Sequence, residues 1–476
     1  MRNGIIAYGA YLPYWLLARS TITEALGIPA GKGGRTVASY DEDTTTMAVE
    51  AAREAITGMP YVILPNEIIL STTAPAYMDK TNAAALHDAL SLPRSVSAFD
   101  MSGSVRSSTA AMRYATYAPV PVLVVLSDMR NGLPGSVDER EGGDAAVAFL
   151  FGSGPDVIAE PLAYASVTSE FLERWKLPGE KSSHQWEERF GEHKYVPLAI
   201  EAMGAAMKEA GVTASEIDHL IVTGTNTRAV KAVQRSGEFA AEVVAEDLTD
   251  IVGYSGSAHQ GLVLANVLDT SEPGAVILAV SIADGAEATI FRVREHIVEY
   301  RQRRSNKNVA ACLDPHCHAE LPYMKFLTWR NYLQHEQPRR PEPTPPAPPP
   351  AARHATWKFG FTASRCNVCG TRLMPPGRVC IRCGAVDQMT GERLADVEGI
   401  VANFTIDRLT FTPNPPMVAA IVDFDGGGRF RCELTDVDPN TVAIGDRVEM
   451  TFRKITTSQS IHNYFWKARP IREEVR

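Results

Sequence analysis

Along residues 1–330, short apolar runs alternate with longer segments in which apolar residues recur every three or four positions. The runs "GIIAYGAYLP" (4–13), "EIIL" (67–70), "VLVVLS" (122–127) and "DAAVAFLFG" (144–152) have the length and continuity of strands buried on both faces. "DEDTTTMAVEAAREAI" (41–56) predicts a helix, with Thr44 as N-cap and Ala48, Ala51, Ala52 and Ala55 along one face. "TNAAALHDAL" (81–90) predicts a second helix. The alternation then recurs: helices over "YVPLAIEAMGAAMKEAG" (195–211) and "HQGLVLANVLD" (259–269), strands over "HLIVTG" (219–224), "GAVILAVSI" (274–282) and "ATIFRV" (288–293). Strand–helix alternation predicts an α/β fold, and its two similar rounds predict two related halves, although no literal repeat is visible. The opening run reads as a first core strand rather than a secretory leader, because Gly4, Gly9 and Pro13 punctuate it and no small-residue cleavage site follows.

The pattern breaks at "QPRRPEPTPPAPPPAAR" (337–353), which holds eight prolines. Proline fixes φ and removes a donor, so this run predicts an extended polyproline II spacer. Beyond it, "GIVANFTI", "PMVAAIVDF", "RFRCELT" and "RVEMTFRKI" are short strand-like runs, with the turn "FDGGGRF" between two of them. They predict a small barrel or sandwich.

Composition adds class and compartment. The chain is 45% hydrophobic and 22% charged, as in a globular protein, and its net charge of −9 offers no footprint for nucleic acid or anionic membrane. No stretch is long and apolar enough to span a bilayer, so neither nucleic acid nor membrane is an expected partner and a cytoplasmic location is expected. Seven cysteines, four of them in paired spacing, suit a reducing compartment and a metal. In "CNVCGTRLMPPGRVCIRCG", Cys366, Cys369, Cys380 and Cys383 form two CxxC knuckles, each followed by a glycine. Four thiolates suit a structural Zn²⁺ in a closed site without catalytic duty. "CLDPHCH" clusters Cys312, His316, Cys317 and His318, read as a turn with a half-buried cysteine rather than a metal site. Cys432 reads as a small hydrophobe in a strand.

"GIIAYGAYLP", "VASYDEDTTTMAVEAAREAI", "STTAPAYMDKTNAAALHDAL", "FDMSGSVRSSTAAM" and "SDMRNGLPGSVDEREGGDAAVAFLFGSG" together resemble the thiolase superfamily, within it the 3-hydroxy-3-methylglutaryl-CoA synthase branch. "RCNVCGTRLMPPGRVCIRCG" with the strands after it resembles the zinc-ribbon and OB-fold proteins that accompany thiolases. The resemblance implies an α/β domain of duplicated five-layer αβαβα type, a rubredoxin-like zinc ribbon and a small β-barrel of OB fold. The division it implies is a thiolase-like domain at 1–330, a Pro-rich linker at 331–354, a zinc ribbon at 355–390 and an OB-fold domain at 391–476. It further implies an acyl-CoA thioester as substrate, and as partners a second copy of the chain, a separate thiolase, or both.

Carried over position by position, the resemblance empties the catalytic triad. Five residues after Asp100, where the family has its nucleophilic cysteine, stands Val105; the glutamate slot falls on Thr73 and the histidine slot on Thr223. Asn226 persists, and the late asparagine of the oxyanion segment falls near Tyr254. Three readings stay open. The scaffold performs aldol- or Claisen-type chemistry on acyl-CoA without an acyl-enzyme, with Tyr254 or His259 handling the proton and Ser104, Arg106 and Asn226 contacting substrate. It is instead a silent scaffold that docks a Cys-bearing thiolase through the small domains. Or it is a synthase-like acyltransferase with displaced residues, Ser104 or Ser107 being the nearest hydroxyls.

Overall fold

The computed structural model describes residues 2–57, 63–236, 239–304, 308–336 and 343–471. Nine strands form one mixed sheet: β1 Gly4–Tyr11, β2 Glu67–Thr72, β3 Ser97–Ser102, β4 Val122–Met129, β5 Asp144–Gly152, β6 Ala159–Thr168, β7 His219–Gly224, β8 Val276–Ile282 and β9 Gly285–Val293. Their order is β7-β8-β9-β6-β1-β5-β4-β2-β3. Both outer flanks are parallel, β3 and β4 on β2 and β7 on β8. The two halves meet where Ile5 of β1 pairs with Ala159 of β6.

Five helices frame the sheet and its edge: α1 Thr44–Thr57, α2 Ser107–Tyr117, α3 Glu188–Ala210, α4 Thr227–Gln234 and α5 His259–Thr270. The alanine face of α1 lies on β1, β5 and β4. Its N-terminus differs from the expectation: the Asp43 carboxylate, not Thr44, accepts from the Thr45 and Thr46 amides at 3.0 Å each, while the Thr44 hydroxyl reaches the Ala74 carbonyl. An acidic cap also complements the positive end of the helix dipole. Helix α5 is buried through most of its length against β1, β5, β7 and β8. Gly261 makes that fit possible, since a Cβ there would lie 2.7 Å from the Val147 side chain. Helix α3 crosses β6, β8 and β9.

The proline-rich segment departs from the polyproline expectation. Residues 337–342 lie outside the described residues; of the remainder, Pro348–Arg353 is a helical turn with proline in its first positions. The first turn of a helix has no use for its amide hydrogens, so proline costs nothing there.

Beyond it lies a small sheet carrying the cysteine knuckles, then a closed five-stranded barrel: β10 Gly399–Asp407, β11 Met417–Phe424, β12 Arg429–Leu434, β13 Arg447–Ser458 and β14 Ile461–Pro470, in the order β10-β11-β12-β14-β13. Val418, Ala420, Val422 and Phe424 alternate inward along β11. Gly426, Gly427 and Gly428, all at positive φ, make the turn to β12. The sequence pattern missed β14.

The barrel docks on the large domain of its own chain through charge. Arg453 of β13, fully buried, ion-pairs with Glu42 (2.8 Å), Asp41 (3.4 Å) and Asp436 (2.5 Å). Lys467 of β14 pairs with Asp41 at 2.9 Å and Glu433 at 2.8 Å. Arg53 of α1 reaches Asp396 at 3.0 Å and the Met450 carbonyl at 2.9 Å. Among the described residues, no helix is long and apolar enough to cross a membrane.

Candidate functional site

The parallel strands β2, β3 and β4 end on one edge of the sheet, where chain turns bring side chains together. After β3 the backbone turns through Gly103, at a φ of 121° that favours glycine, and enters α2. Val105 lies in that turn, only 9% exposed, an apolar side chain at the helix start. The hydroxyls around it serve the helix: Ser108 donates to the Val105 carbonyl (2.8 Å) and Thr109 to the Arg106 carbonyl (2.9 Å). Arg106 spends all three guanidinium nitrogens on protein: Glu287 (3.0 Å), the Asp284 carbonyl (2.6 Å), Ser166 (2.7 Å) and Thr168 (2.8 Å). It ties α2 to β6 and β9, and four of its five N–H donors are spent on protein in this arrangement. Ser104 is half-buried, and its hydroxyl has no hydrogen-bond partner among the described residues.

The end of β4 supplies a residue that sequence reasoning missed. Asp128, fully buried, accepts from the Thr73 hydroxyl on both oxygens (2.9 and 2.8 Å) and from the Ser257 amide (2.9 Å). Gly256 admits this carboxylate, since a Cβ there would stand 2.1 Å from its Oδ2. Arg130 donates to the same Thr73 hydroxyl at 3.2 Å. Asp128, Thr73 and Arg130 thus form one polar chain around Thr73, the position expected from the resemblance to hold the glutamate slot.

Tyr254 and His259 stand beside it. Their rings are 4.9 Å apart, and the Arg130 guanidinium lies 6.0 Å from the Tyr254 ring centre. Tyr254 is pinned through its backbone, its amide donating to Glu141 (2.7 Å) and its carbonyl accepting from Gly143 (3.0 Å). Burial pushes its phenol up to about 12 against the pull of Arg130 and Arg174. Burial drives the His259 imidazole down to about 4, with Asp247 opposing. The Ser255 amide donates to Nδ1 of His259 at 3.3 Å, so the neutral ring carries its proton on Nε2.

Thr223 ends β7, nearly buried, its hydroxyl reaching the Val280 carbonyl at 3.4 Å. Thr223, Tyr254 and His259 line one cavity of about 520 Å³, whose rim carries Arg19, Lys231 and Asp250. Asn226 caps α4 by accepting from the Ala229 amide at 2.9 Å, and its amide group donates to Glu188 (3.0 Å) and Glu173 (3.3 Å). Its polar atoms are therefore committed to protein. The structure brings Thr73, Tyr254 and His259 around one polar cluster and separates Arg106 and Asn226 from it by their bonding.

In the small sheet the four sulfurs of Cys366, Cys369, Cys380 and Cys383 lie within 4.8 Å of one another. Gly370 and Gly384, at φ of 72° and 73°, close two like knuckles by donating to the Cys366 (2.9 Å) and Cys380 (3.0 Å) carbonyls. Four converging thiols with matching turns fit a tetrahedral Zn²⁺. The Cys312–His318 segment is not such a cluster: the ring nitrogens of His318 face the Pro13 (3.1 Å) and Cys312 (2.8 Å) carbonyls. Cys312 and Cys317 line a separate cavity of about 400 Å³ between the large domain and the barrel. Cys432 is buried in β12.

Residues 392–453 match the model of a family described as "ChsH2, C-terminal OB-fold domain". The chain is 30% identical over 312 residues to the hydroxymethylglutaryl-CoA synthase of Caldivirga maquilingensis, covering 62% of this chain and 88% of that protein. With the synthase of Methanopyrus kandleri it shares 28% over 322 residues, covering 63% and 91%. Among solved structures, an HMG-CoA synthase complexed with CoA superposes with a TM-score of 0.58 at 17% identity, covering 68% of this chain and 89% of that one. The 3-oxoacyl-[acyl-carrier-protein] synthase III of Aquifex aeolicus gives 0.54 at 20% identity, covering 61% and 99%. These two structural likenesses establish a thiolase-like α/β fold.

Proposed function

The chain belongs to the hydroxymethylglutaryl-CoA synthase family, and on that premise we propose that it binds an acyl-CoA thioester and makes or breaks a carbon–carbon bond beside the thioester carbonyl without forming an acyl-enzyme. The observation that carries this reading is Val105. An apolar, nearly buried side chain stands at the helix start that the resemblance assigns to the family's thiolate, while the polar chain Asp128–Thr73–Arg130 holds the ends of the neighbouring strands and Tyr254 and His259 line a cavity. An aldol-type step needs an acid–base group for the β-oxygen and donors for the enolate oxygen, but no nucleophile. Tyr254, with a hydroxyl that bonds to no described residue, is the proton-handling group; His259, neutral, held at Nδ1 by the Ser255 amide and with its ring centre 4.9 Å from that of Tyr254, positions it. Ser104 is the hydroxyl left for substrate. Cys366, Cys369, Cys380 and Cys383 hold a structural Zn²⁺, which folds the ribbon and takes no part in the reaction.

Two assembly proposals accompany the reading. Strand β3 is the sheet edge and is half-exposed, so a second copy pairs there to make a homodimer. The alternative reading, a silent scaffold for a Cys-bearing thiolase, draws on Val368 and Ile381, apolar and 66% and 83% exposed on the zinc knuckles.

The test is incubation of the purified protein with 3-hydroxyacyl-CoA esters, reading shorter acyl-CoA products and intact protein mass together. We expect cleavage without a covalent adduct, and a loss of about 10²–10⁴-fold in Tyr254→Phe. Val105→Cys is expected to trap an acyl adduct. An adduct on the unaltered chain sinks the reading in favour of a displaced acyltransferase. Bound ester without turnover, with a thiolase chain co-purifying in fixed ratio, supports the scaffold.

A further inference from the structure

Arg130, the residue after β4, is a buried cation with donors to spare. It is 7% exposed, and its Nη1 donates to the Thr73 hydroxyl at 3.2 Å. Among the described residues its side chain makes no other hydrogen bond and no ion pair. Asp138 is held by Arg174 instead, and Asp128 reaches Arg130 only through the Thr73 hydroxyl. A guanidinium carries five N–H donors, so four are unspent. Arg35 Nε and Arg330 Nε also lack partners, but both are sealed from solvent; Nε and Nη2 of Arg130 are not. A buried cation open at two nitrogens of its fork suits a small anionic oxygen.

The fold holds this side chain still. The Arg130 amide donates to Asp144 (3.0 Å), and its carbonyl accepts from Arg35 (2.7 Å). Two glycines make its berth: a Cβ on Gly256 would lie 3.0 Å from the Arg130 Cδ, and one on Gly142 would lie 2.8 Å from the Arg130 Cβ. Gly142 also pairs with Tyr254 in a β-bridge, so the same backbone places both residues. The guanidinium centre ends 6.0 Å from the Tyr254 ring centre, and Tyr254 lines the cavity of about 520 Å³ with Thr223 and His259. Donors fixed before the reaction cost no reorganisation when charge develops on their acceptor.

We propose that Arg130, through Nε and Nη2, is the catalytic residue that binds the thioester carbonyl oxygen of the substrate and holds it as the enolate. The inference rests on the aldol-type reading of the site, which requires donors for that oxygen. Thr73 is a positioning residue: its hydroxyl, donating to Asp128, fixes Nη1 and leaves the rest of the fork open. Three carbons join the two oxygens of a β-hydroxy thioester, so a carbonyl on Arg130 leaves the β-oxygen to Tyr254. In the cleavage direction the β-hydroxyl proton passes to Tyr254 Oη, and the O–H pair becomes the second bond of a new carbonyl. The Cα–Cβ bond breaks, and its electrons pass to the enolate on Arg130. Tyr254 gives its own phenolic proton to Cα as it takes the other, so it ends as a neutral phenol and the enolate ends as a thioester. Condensation is the reverse, and no oxidant or reductant enters.

The test titrates the full chain with acetoacetyl-CoA and reads the ester's enolate by its near-ultraviolet absorption against pH. The Cα proton passes to the buffer, so neither a protein base nor turnover is needed. Bound to the unaltered chain, the ester is expected to enolise about 1–3 pH units below the free ester, as an anion beside a fixed cation does. Arg130→Gln is expected to return that midpoint toward the free value by about one unit or more while the ester still binds. Should that variant not fold, Arg130→Met, uncharged and unbranched, carries the same expectation. With turnover in hand, Arg130→Gln is expected to lower kcat by about 10²–10³-fold, more than it weakens ester affinity. A bound ester that enolises like the free one overturns the inference without any variant, and so does an unmoved midpoint in a folded variant. A lowered midpoint without carbon–carbon cleavage defeats the aldol reading and leaves the anion site standing; an ester that does not bind defeats both.

Discussion

His259 illustrates how burial, rather than a charged neighbour, sets a side chain's role. Its ring is nearly fully buried, takes a hydrogen bond on Nδ1 and is pushed down to about 4, whereas an unfolded histidine titrates near ~6.5. The folded state therefore refuses a proton that the unfolded state accepts. Stability from this group is complete above about pH 6.5 and is lost as pH falls toward 4, by about 3 kcal/mol. We expect urea midpoints at pH 7.5 and 4.5 to differ less in His259→Gln than in the unaltered chain; an identical difference refutes the assignment. Val105, Thr73 and Thr223 were legible from position in the sequence. Asp128 and Glu173 were not, because their meaning lies in partners 55, 129 and 53 residues away.

At the scale of elements, the apolar runs predicted seven of the nine sheet strands because those are buried at nearly every position and need no polar alternation, while β3 and β6, with half-buried and exposed positions along them, gave no such run. Strand β14 escaped because its pattern is masked by charge. Lys467 and Arg469 sit in it as core-facing or docking residues, Lys467 only 2% exposed and paired with Asp41. That same charge holds the barrel to α1. Burial alone raises the Asp41 carboxyl, yet Lys467 and Arg453 hold it down to about 2. Removing one member leaves the others buried without compensation. Arg453→Met is expected to cost about 3–5 kcal/mol and to expose the 343–358 segment to protease, read by thermal unfolding and by cleavage mapping. Unchanged melting and cleavage would show that the barrel docks by apolar contact instead.

At the scale of the molecule, the four-cysteine cluster ties an otherwise small sheet to the barrel, with Arg372 reaching the Asp425 carbonyl of the β11–β12 turn at 2.6 Å. Such ribbons owe their folding to the metal. Chelation, or Cys380→Ser, is expected to remove about one zinc per chain and to melt the ribbon while the nine-stranded sheet persists. Metal analysis paired with near-ultraviolet circular dichroism checks this, and a ribbon that survives metal loss refutes it.

By itself the sequence determined the class of fold and the paired cysteine knuckles, because burial period and ligand spacing are local properties written in consecutive residues, whereas the absence of a nucleophile at Val105 is an expectation drawn from resemblance. Tertiary structure alone decided which polar groups are spent and which are open. Arg106 and Asn226 look like ligand contacts in the chain and prove to be bonded mostly to protein, while Glu173, unremarked in the chain, keeps a buried oxygen without a hydrogen-bond partner. Hydrogen-bond satisfaction and desolvation depend on segments far apart in sequence, and so they exist only once the sheet has gathered those segments at one edge.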